Sequence, residues 1–194
     1  RGFILGDGVY EVVPVYGMHP FALRQHLARL GRSLAEVHIA PPLDEAAWTA
    51  LVTELIHRLR AKPGFSVAEV PTASIYLQVT RGVAMREHTI PKHITPTVFA
   101  FANAMATPST EQRTQGVACV TADEFRWEMA HIKSTSLLGA VLARQISAQA
   151  GAAETILFRH GFLSEASACN VWLVKNGRLM GPPKDHLVLA GIGL

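Results

Sequence analysis

The feature that most constrains the fold is a change of hydrophobic period along the chain. Apolar residues recur at intervals of four and three from residue 23 to residue 37, which predicts one stripe of a helix. Residues 73–80, ASIYLQVT, alternate instead, with Ile75, Leu77 and Val79 on one face, which predicts a strand. A chain that uses both periods packs helices on a sheet, so the sequence predicts a mixed α/β fold.

The other elements follow from the same patterns. Residues 8–17 form a strand bounded by glycines, and a second helix within 41–64 follows prolines and ends at Pro63-Gly64. Further predicted elements are strands at 95–105 and 116–122, a helix from Ser134 to Ala150, and hairpins that turn at His160-Gly161 and Asn176-Gly177.

A polar stretch divides this pattern in two. Residues 106–116, ATPSTEQRTQG, carry a proline and no periodicity, which is typical of a linker. We therefore predict an N-terminal α/β domain over 1–106, a linker over 107–114 and a C-terminal α/β domain over 115–194. The chain opens on strand-like residues and closes on the apolar LVLAGIGL. We expect both ends to be cuts through a longer protein.

Composition excludes several classes of function. Eighteen basic and fifteen acidic residues give a net charge of +3 without a basic block, which argues against nucleic-acid binding. The two cysteines show neither CxxC nor disulfide spacing, which favours a reducing cytoplasm. The nine histidines form no metal-binding motif, and no apolar run reaches the ~18 residues of a membrane span.

One lysine carries the functional argument. Lys133, in HIKSTSLLGAVLARQ, precedes a long run of small and apolar residues. A lysine partly withdrawn from water can act as a nucleophilic amine and form a Schiff base. A lysine that snorkels at a helix start is the commoner structural explanation, so the residues alone leave both open. The neighbours are expected either to cap the helix (Ser134, Thr135, Ser136) or to face a core (Leu137, Leu138, Val141, Leu142).

Four motifs decide between these explanations. DGVYEV, YLQVTRGVAMREH, FRWEMAHIKSTSLLGAVLARQ and LSEASACNVWLV occur in this order. Their order and spacing resemble the fold-type IV pyridoxal-phosphate aminotransferases, and most closely the D-amino-acid aminotransferases. The resemblance covers essentially the whole chain. It implies a two-domain fold-type IV enzyme, incomplete here at both termini.

The resemblance assigns the cofactor, pyridoxal 5'-phosphate, to three main residues. Lys133 would hold it as an internal aldimine and then move a proton between the substrate α-carbon and the cofactor C4′. Glu165 would pair with the pyridine nitrogen, because a protonated ring is the better electron sink. Arg29 would bind the phosphate; the helix pattern alone places Arg24, Arg29 and Arg32 off the leucine stripe and selects none of them.

Six more cofactor-binding positions follow from the resemblance: Ser167, Cys169, Asn170, Leu189, Ile192 and Gly193. Two of these depart from the family. Cys169 lies in a turn that reads SACN instead of a serine-rich run. Gly193 replaces a threonine whose hydroxyl binds the phosphate at a helix start in the family.

The resemblance also assigns the substrate. Tyr10 would line the pocket near the substrate carboxylate. Arg86 and His88 would clamp that carboxylate from the neighbouring subunit of a homodimer. The implied reaction is transamination between a D-amino acid, such as D-alanine, and a 2-oxo acid, either 2-oxoglutarate or pyruvate. Alternatives on the same fold are a branched-chain L-amino-acid aminotransferase, an aminodeoxychorismate lyase and an (R)-amine transaminase, beside a non-catalytic remnant.

Overall fold

A computed structural model describes residues 1–193 and contains helices and strands in mixed order. The elements are α1 Gly2–Leu5, β1 Gly8–Tyr16, β2 His19–Pro20, α2 Leu23–Glu36, α3 Glu45–Arg60, β3 Thr72–Thr80, β4 Thr97–Ala104, α4 Thr110–Gln115, β5 Cys119–Asp123, α5 Leu138–Gln149, β6 Glu154–Arg159, β7 Phe162–Ala166, β8 Leu173–Lys175 and β9 Arg178–Met180. The predicted α/β class is therefore confirmed.

The chain divides into two compact units. Unit 1 comprises Arg1–Thr107 with Lys133–Ser136, and unit 2 comprises Pro108–Ile132 with Leu137–Leu194. Unit 1 is built on an antiparallel sheet in the order β2-β1-β3-β4. Alternate residues of β1 and β3 form its core: Val9, Val13, Val15, Ala73, Ile75, Leu77 and Val79. This alternation is the period that the sequence predicts for β3.

The helices of unit 1 bury more than their apolar residues. α3 follows the N-cap Asp44, whose Oδ1 accepts a hydrogen bond from the Ala47 N–H at 2.8 Å. α2 buries a face that includes charged and polar groups: His26, Arg29, Leu30, Ser33 and Leu34. Arg29 lies off the leucine stripe, as the sequence pattern indicates, but it is buried, so the alternative that it is merely a solvated side chain is wrong. The reason is a buried acidic partner on β1, described below.

Unit 2 has a three-stranded sheet in the order β5-β6-β7, with β5 parallel to β6 and β7 antiparallel to it. Both predicted hairpins occur, and their turns use left-handed backbone. φ is 51° at His160 and 82° at Gly161, then 51° at Asn176 and 70° at Gly177. Positive φ at both central residues matches the twist of the flanking strands.

Three local expectations are wrong. The opening residues form the short helix α1 rather than a strand. The predicted linker contains α4, which starts with a capping box between Ser109 and Gln112. α5 begins at Leu138 without a side-chain cap, and its large apolar residues Leu138, Val141 and Leu142 are exposed, because Ala143 and Ser147 form its buried face. The domain limits at 106 and 115 stay predictions.

Residues 1–193 show neither a membrane-spanning helix nor a metal-binding cluster. None of the helices there combines the length and the apolar character needed to cross a membrane. No group of three or more histidine, cysteine or acidic side chains is arranged there to hold a metal ion.

Candidate active site

The lysine segment extends the sheet of unit 1 along one edge of β1. Ser134 forms an antiparallel bridge with Val9, and the Tyr10 N–H donates to the Lys133 carbonyl at 2.9 Å. The Thr135 N–H donates to the Gly8 carbonyl at 3.0 Å. These main-chain bonds fix the position of the Lys133 backbone beside the DGVYE strand.

The hydroxyls of Thr135 and Ser136 also bind a main-chain carbonyl just before β1. Thr135 Oγ1 donates to the Gly6 carbonyl at 2.9 Å, and Ser136 Oγ donates to the same carbonyl at 3.2 Å. The expectation that they cap the following helix is therefore wrong. Their partners lie about 130 residues earlier in the chain, where no local pattern could indicate them.

The Lys133 amine lies over an aromatic ring. Its Nζ is 4.2 Å from the centroid of the Tyr10 ring, within the range of a cation–π contact. The Tyr10 ring stacks on Tyr76 of β3, with centroids 5.4 Å apart. Lys133 as a whole is half-buried, and one side of its amine faces this aromatic wall.

This wall continues across the sheet. Tyr76 also stacks on Phe101 of β4, with centroids 5.0 Å apart, and Phe99 adds an edge contact at 6.5 Å. The Tyr76 hydroxyl donates to Gln78 Oε1 at 2.7 Å, and burial raises the pKa of that hydroxyl. Tyr76 was not predicted from the sequence, although the outward positions of β3 and β4 could have indicated an aromatic face.

The opposite face of β1 carries a buried ion cluster. Glu11 is fully buried and accepts from Arg29 Nε at 2.6 Å, from Arg29 Nη2 at 2.8 Å and from His26 Nδ1 at 2.8 Å. Burial by itself raises the pKa of Glu11, but the hydrogen bonds from Arg29 and His26 outweigh it and hold the pKa below its ordinary value. Glu11 was not predicted as a partner of Arg29.

Arg29 lies close to the lysine segment along α2. Ser33, one helical turn after Arg29, accepts a hydrogen bond on its Oγ from the Lys133 N–H at 3.4 Å. Strand alternation puts Tyr10 and Glu11 on opposite faces of β1. Lys133 Nζ therefore lies on the Tyr10 face, whereas the Arg29 guanidinium is bound on the Glu11 face.

The predicted carboxylate clamp lies in the loop between β3 and β4. Arg86 and His88 are both exposed, and neither makes a hydrogen bond or ion pair within residues 1–193. The loop leaves the sheet at Arg81, whose N–H donates to the Asp7 carbonyl at 3.1 Å. The DGVYE segment thus lies between the lysine segment on one edge and the root of this loop on the other.

In unit 2, Glu165 is a buried carboxylate near the end of β7. Its Oε1 accepts from Arg126 Nη2 at 2.9 Å, and its Oε2 accepts from the Leu189 N–H at 3.1 Å. Burial raises the pKa of Glu165 above its ordinary value, and the nearby charge of Glu124 adds to the rise. Arg126 opposes both effects without cancelling them.

Arg126 is shared between two carboxylates. It donates to Glu124 through Nε at 2.8 Å and through Nη2 at 2.5 Å, and its Nη1 donates to the Ser167 carbonyl at 3.1 Å. Hydrogen bonds from Arg126 hold the pKa of Glu124 below its ordinary value, although burial alone raises it. Arg126 was not predicted; only its place seven residues before Lys133 could have indicated it.

The SACN turn is tied to β6. Ser167 is buried and its hydroxyl donates to Glu154, while its N–H donates to the Thr155 carbonyl at 3.1 Å. Cys169 Sγ lies 3.7 Å from Glu154 Oε2. Desolvation of the thiol, together with the Glu154 charge, raises the pKa of Cys169 to about 11.

The remaining predicted positions lie after β9. Asn170 Nδ2 donates to the Leu189 carbonyl at 2.7 Å, so Leu189 is bonded on one side to Asn170 and on the other to Glu165. Ile192 and Gly193 lie in a turn. The structure therefore brings Glu165, Asn170 and Leu189 together.

The side chains fit the chemistry of pyridoxal phosphate, one group at a time. Lys133 offers an amine on an aromatic face for an aldehyde. Glu165 offers a buried carboxylate whose raised pKa suits an adjacent ring nitrogen that carries a proton. Arg29 offers a guanidinium oriented by Glu11 for a phosphate.

Comparison with known proteins assigns the chain to a family. The sequence profile of the amino-transferase class IV family matches residues 8–194, and the chain belongs to this family. It is 38% identical to the D-alanine aminotransferase of Bacillus licheniformis over 99% of the chain and 64% of that protein.

Two solved structures are similar to the fold. A fold IV-transaminase from Curtobacterium pusillum superposes with a TM-score of 0.82 and 28% identity, over 98% of this chain and 64% of that chain. The branched-chain amino acid aminotransferase of Escherichia coli gives a TM-score of 0.77 and 22% identity over the same shares. The chain thus spans slightly less than two thirds of the proteins that it resembles.

Proposed function

We propose that the protein is a pyridoxal-phosphate-dependent aminotransferase that transfers an amino group between a D-amino acid and a 2-oxo acid. The observation that carries the proposal is the placement of Lys133, whose Nζ lies 4.2 Å from the Tyr10 ring centroid. The segment that holds it forms main-chain bonds with the DGVYE strand. A lysine at a flexible surface position would have none of these constraints.

Each residue has a defined task in this proposal. Pyridoxal phosphate, when bound, supplies an aldehyde for the amino group and an electron sink for the α-carbon. Lys133 holds the cofactor and accepts the proton from the substrate α-carbon on its Nζ. Glu165 keeps the ring nitrogen protonated, and Arg29 binds the phosphate. The turn residues Ser167, Cys169, Asn170, Leu189, Ile192 and Gly193 complete the cofactor site.

The substrate assignment depends on three other side chains. Arg86 and His88 supply donors for the substrate carboxylate, and Tyr10 lines the same pocket. Support comes from the motif VAMREH and from the identity to D-alanine aminotransferases. Arg86 and His88 are exposed and without a bonding partner in the described residues, which suits side chains that serve a second copy of the chain.

Replacement of the lysine tests the chemistry. In the complete protein, Lys133→Ala should abolish transamination, and borohydride should no longer trap pyridoxal phosphate on the chain. Lys175→Ala is the matched control, because Lys175 lies in the exposed hairpin strand β8 and should leave both readings unchanged. Full turnover by Lys133→Ala would refute the proposal, and absence of any trapped cofactor on the wild type would favour a non-catalytic protein.

Substrate comparison tests the stereochemical assignment. With 2-oxoglutarate as acceptor, the complete protein should use D-alanine and leave L-leucine unreacted. Activity with L-leucine alone would replace the D-amino-acid assignment by a branched-chain one, which the shared fold permits. Sedimentation should show a dimer under assay conditions, and an active monomer would contradict the proposed exchange of the Arg86/His88 loop.

A further inference from the structure

The carboxylate of Asp7 lies between two arginines in unit 1. Arg81 Nε donates to Asp7 Oδ2 at 2.8 Å, and Arg1 Nε donates to the same oxygen at 2.7 Å. The exposed fractions of the side chains are 3% for Arg1, 6% for Arg81 and 14% for Asp7. A cluster of this kind differs from a surface ion pair, because its charges are mostly withdrawn from water and each needs its partner.

Each arginine also binds main-chain carbonyls on the side away from Asp7. Arg81 donates to the carbonyls of Val37 and His38, at 2.6 Å and 2.9 Å, just after α2. It therefore ties the end of β3 and the start of the β3–β4 loop to α2. No catalytic task in the proposed reaction uses this arginine.

Arg1 reaches into the loop itself. Its Nη1 donates to the Glu87 carbonyl at 2.6 Å, and its main-chain nitrogen donates to the Gly82 carbonyl at 2.8 Å. Glu87 is the residue between Arg86 and His88. One guanidinium therefore joins the Asp7 carboxylate to the peptide group between the two predicted clamp residues.

The base of the loop is closed by a glycine. Gly82 has φ +119°, and a Cβ added to it would lie 2.1 Å from the Thr95 carbonyl oxygen. Only glycine tolerates this conformation and this close approach. The two ends of the loop are thus held together, and the Arg1–Glu87 bond fixes a point between them.

From these contacts we infer that Asp7, Arg1 and Arg81 form a brace that positions Arg86 and His88 and so sets the affinity for the substrate carboxylate. The inference rests on the proposed function, since it assigns a positioning role at that site. Asp7, Arg1 and Arg81 do not touch the substrate. They act through the loop backbone, so their loss should change substrate binding and leave the lysine chemistry intact.

The decisive variant is Arg1→Gln in the complete, cofactor-loaded protein. It removes the bond to Glu87 and leaves the Asp7–Arg81 pair in place. We expect KM for the D-amino acid and for the 2-oxo acid to rise about tenfold or more, because small displacements of a positioning group are costly. The turnover number at saturation and the borohydride trapping of cofactor should stay near wild type.

Two further variants keep the test sharp. Asp7→Asn removes the charge that orients both arginines and should give the same rise in KM. Arg1→Lys keeps the charge beside Asp7 and so protects folding, but it lacks the planar fork that reaches two partners, so a smaller rise is expected. Arg58→Gln is the matched control: it breaks an exposed pair with Glu54 on α3 and should change nothing.

The outcomes separate the brace from the proposed function. A wild type that does not transaminate D-amino acids refutes the proposed function. If the wild type uses another carboxylate substrate, the effect of Arg1→Gln on KM for that substrate tests the brace. An active wild type with unchanged KM in Arg1→Gln and Arg1→Lys overturns the brace alone. A fall in turnover and cofactor trapping with KM unchanged also overturns it, because the cluster would then support the lysine site.

Discussion

Two buried glutamates, one in each unit, have pKa values that are shifted in opposite directions. Glu11 on β1 and Glu165 on β7 are both withdrawn from water, and each accepts hydrogen bonds from an arginine. Yet the pKa of Glu11 lies below its ordinary value, while the pKa of Glu165 lies above it. Burial raises both values, so the difference must come from the partners.

The two glutamates differ in the number of hydrogen bonds they accept and in whether their arginine also binds another carboxylate. Glu11 accepts two bonds from Arg29 and one from His26, whereas Glu165 receives one bond from Arg126 and one from a main-chain N–H. Arg126 is mainly occupied by Glu124, whose negative charge also disfavours ionisation of Glu165. The charge of Glu11 is thus compensated by its partners, whereas the charge of Glu165 is only partly compensated. A further cation nearby would therefore stabilise the ionised form of Glu165.

The comparison suggests two tasks. A compensated ion cluster holds its arginine in one orientation, which suits Arg29 as a fixed phosphate ligand in the proposed site. An under-compensated carboxylate gains most from a new cation, which suits Glu165 beside a protonated ring nitrogen. The following variants test whether the two glutamates differ as described.

The largest expected effect is the loss of the Glu11 charge. Glu11→Gln leaves the mostly buried Arg29 guanidinium without its counter-charge, and removal of one partner of such a pair costs about 3–5 kcal/mol. Urea denaturation of the complete protein at neutral pH measures this loss. A change below about 1 kcal/mol would show that Arg29 does not depend on Glu11.

The sequence predicts those parts of the fold that depend on neighbouring residues. The strand at residues 8–17, the helix ending before Pro63-Gly64 and the turn at Asn176-Gly177 all follow from local period or turn chemistry, and each is present. Ser134 to Ser136 were predicted as helix caps because a local partner was available. The carbonyl partners of Thr135 and Ser136, at Gly6 and Gly8, are distant in sequence, so no local pattern favours them over a cap.

In the candidate site, too, single residues could be predicted from the sequence, whereas the contacts between them could not. Resemblance to a family selected Lys133, Tyr10 and Arg29 one at a time, but gave no pairing between them. The contacts of Glu11 with Arg29 and of Arg126 with Glu165 arise only when separate elements pack together. An inward-facing glutamate in the alternation of β1 was the one visible sign that a buried cation had to be near.

A smaller effect is expected at the second glutamate. Glu165→Gln keeps an acceptor for Arg126 or for the Leu189 N–H, and it removes a charge that burial already disfavours. The free energy of unfolding should stay within about 1 kcal/mol of wild type. Transamination should nevertheless fall strongly, since the ring nitrogen would lose its anionic partner. A destabilisation equal to that of Glu11→Gln would contradict the conclusion that the two glutamates are compensated to different extents.

Acid titration of stability gives the two glutamates opposite signs. The lowered pKa of Glu11 makes its contribution complete above the ordinary value of 4.5 and lost as pH falls through the lower folded value. The raised pKa of Glu165 makes its contribution complete below 4.5 and lost as pH rises through the higher folded value. The free energy of unfolding of Glu11→Gln should therefore approach the wild-type value as pH falls. That of Glu165→Gln should increase relative to the wild-type value as pH rises. Parallel curves for the two variants would contradict both assignments.

The smallest effect is expected from a variant that tests how Glu124 and Glu165 share Arg126. Glu124→Gln removes a charge that raises the pKa of Glu165 and releases Arg126 Nε and Nη2 from their carboxylate. The pKa of Glu165 should then move down toward its ordinary value, which carbon-detected NMR of labelled glutamate can follow. Glu128→Gln is the control, since Glu128 is exposed and pairs with Arg159 at 3.4 Å. If the pKa of Glu165 stays high in Glu124→Gln, burial alone sets it, and the difference from Glu11 lies in desolvation rather than in the sharing of one arginine.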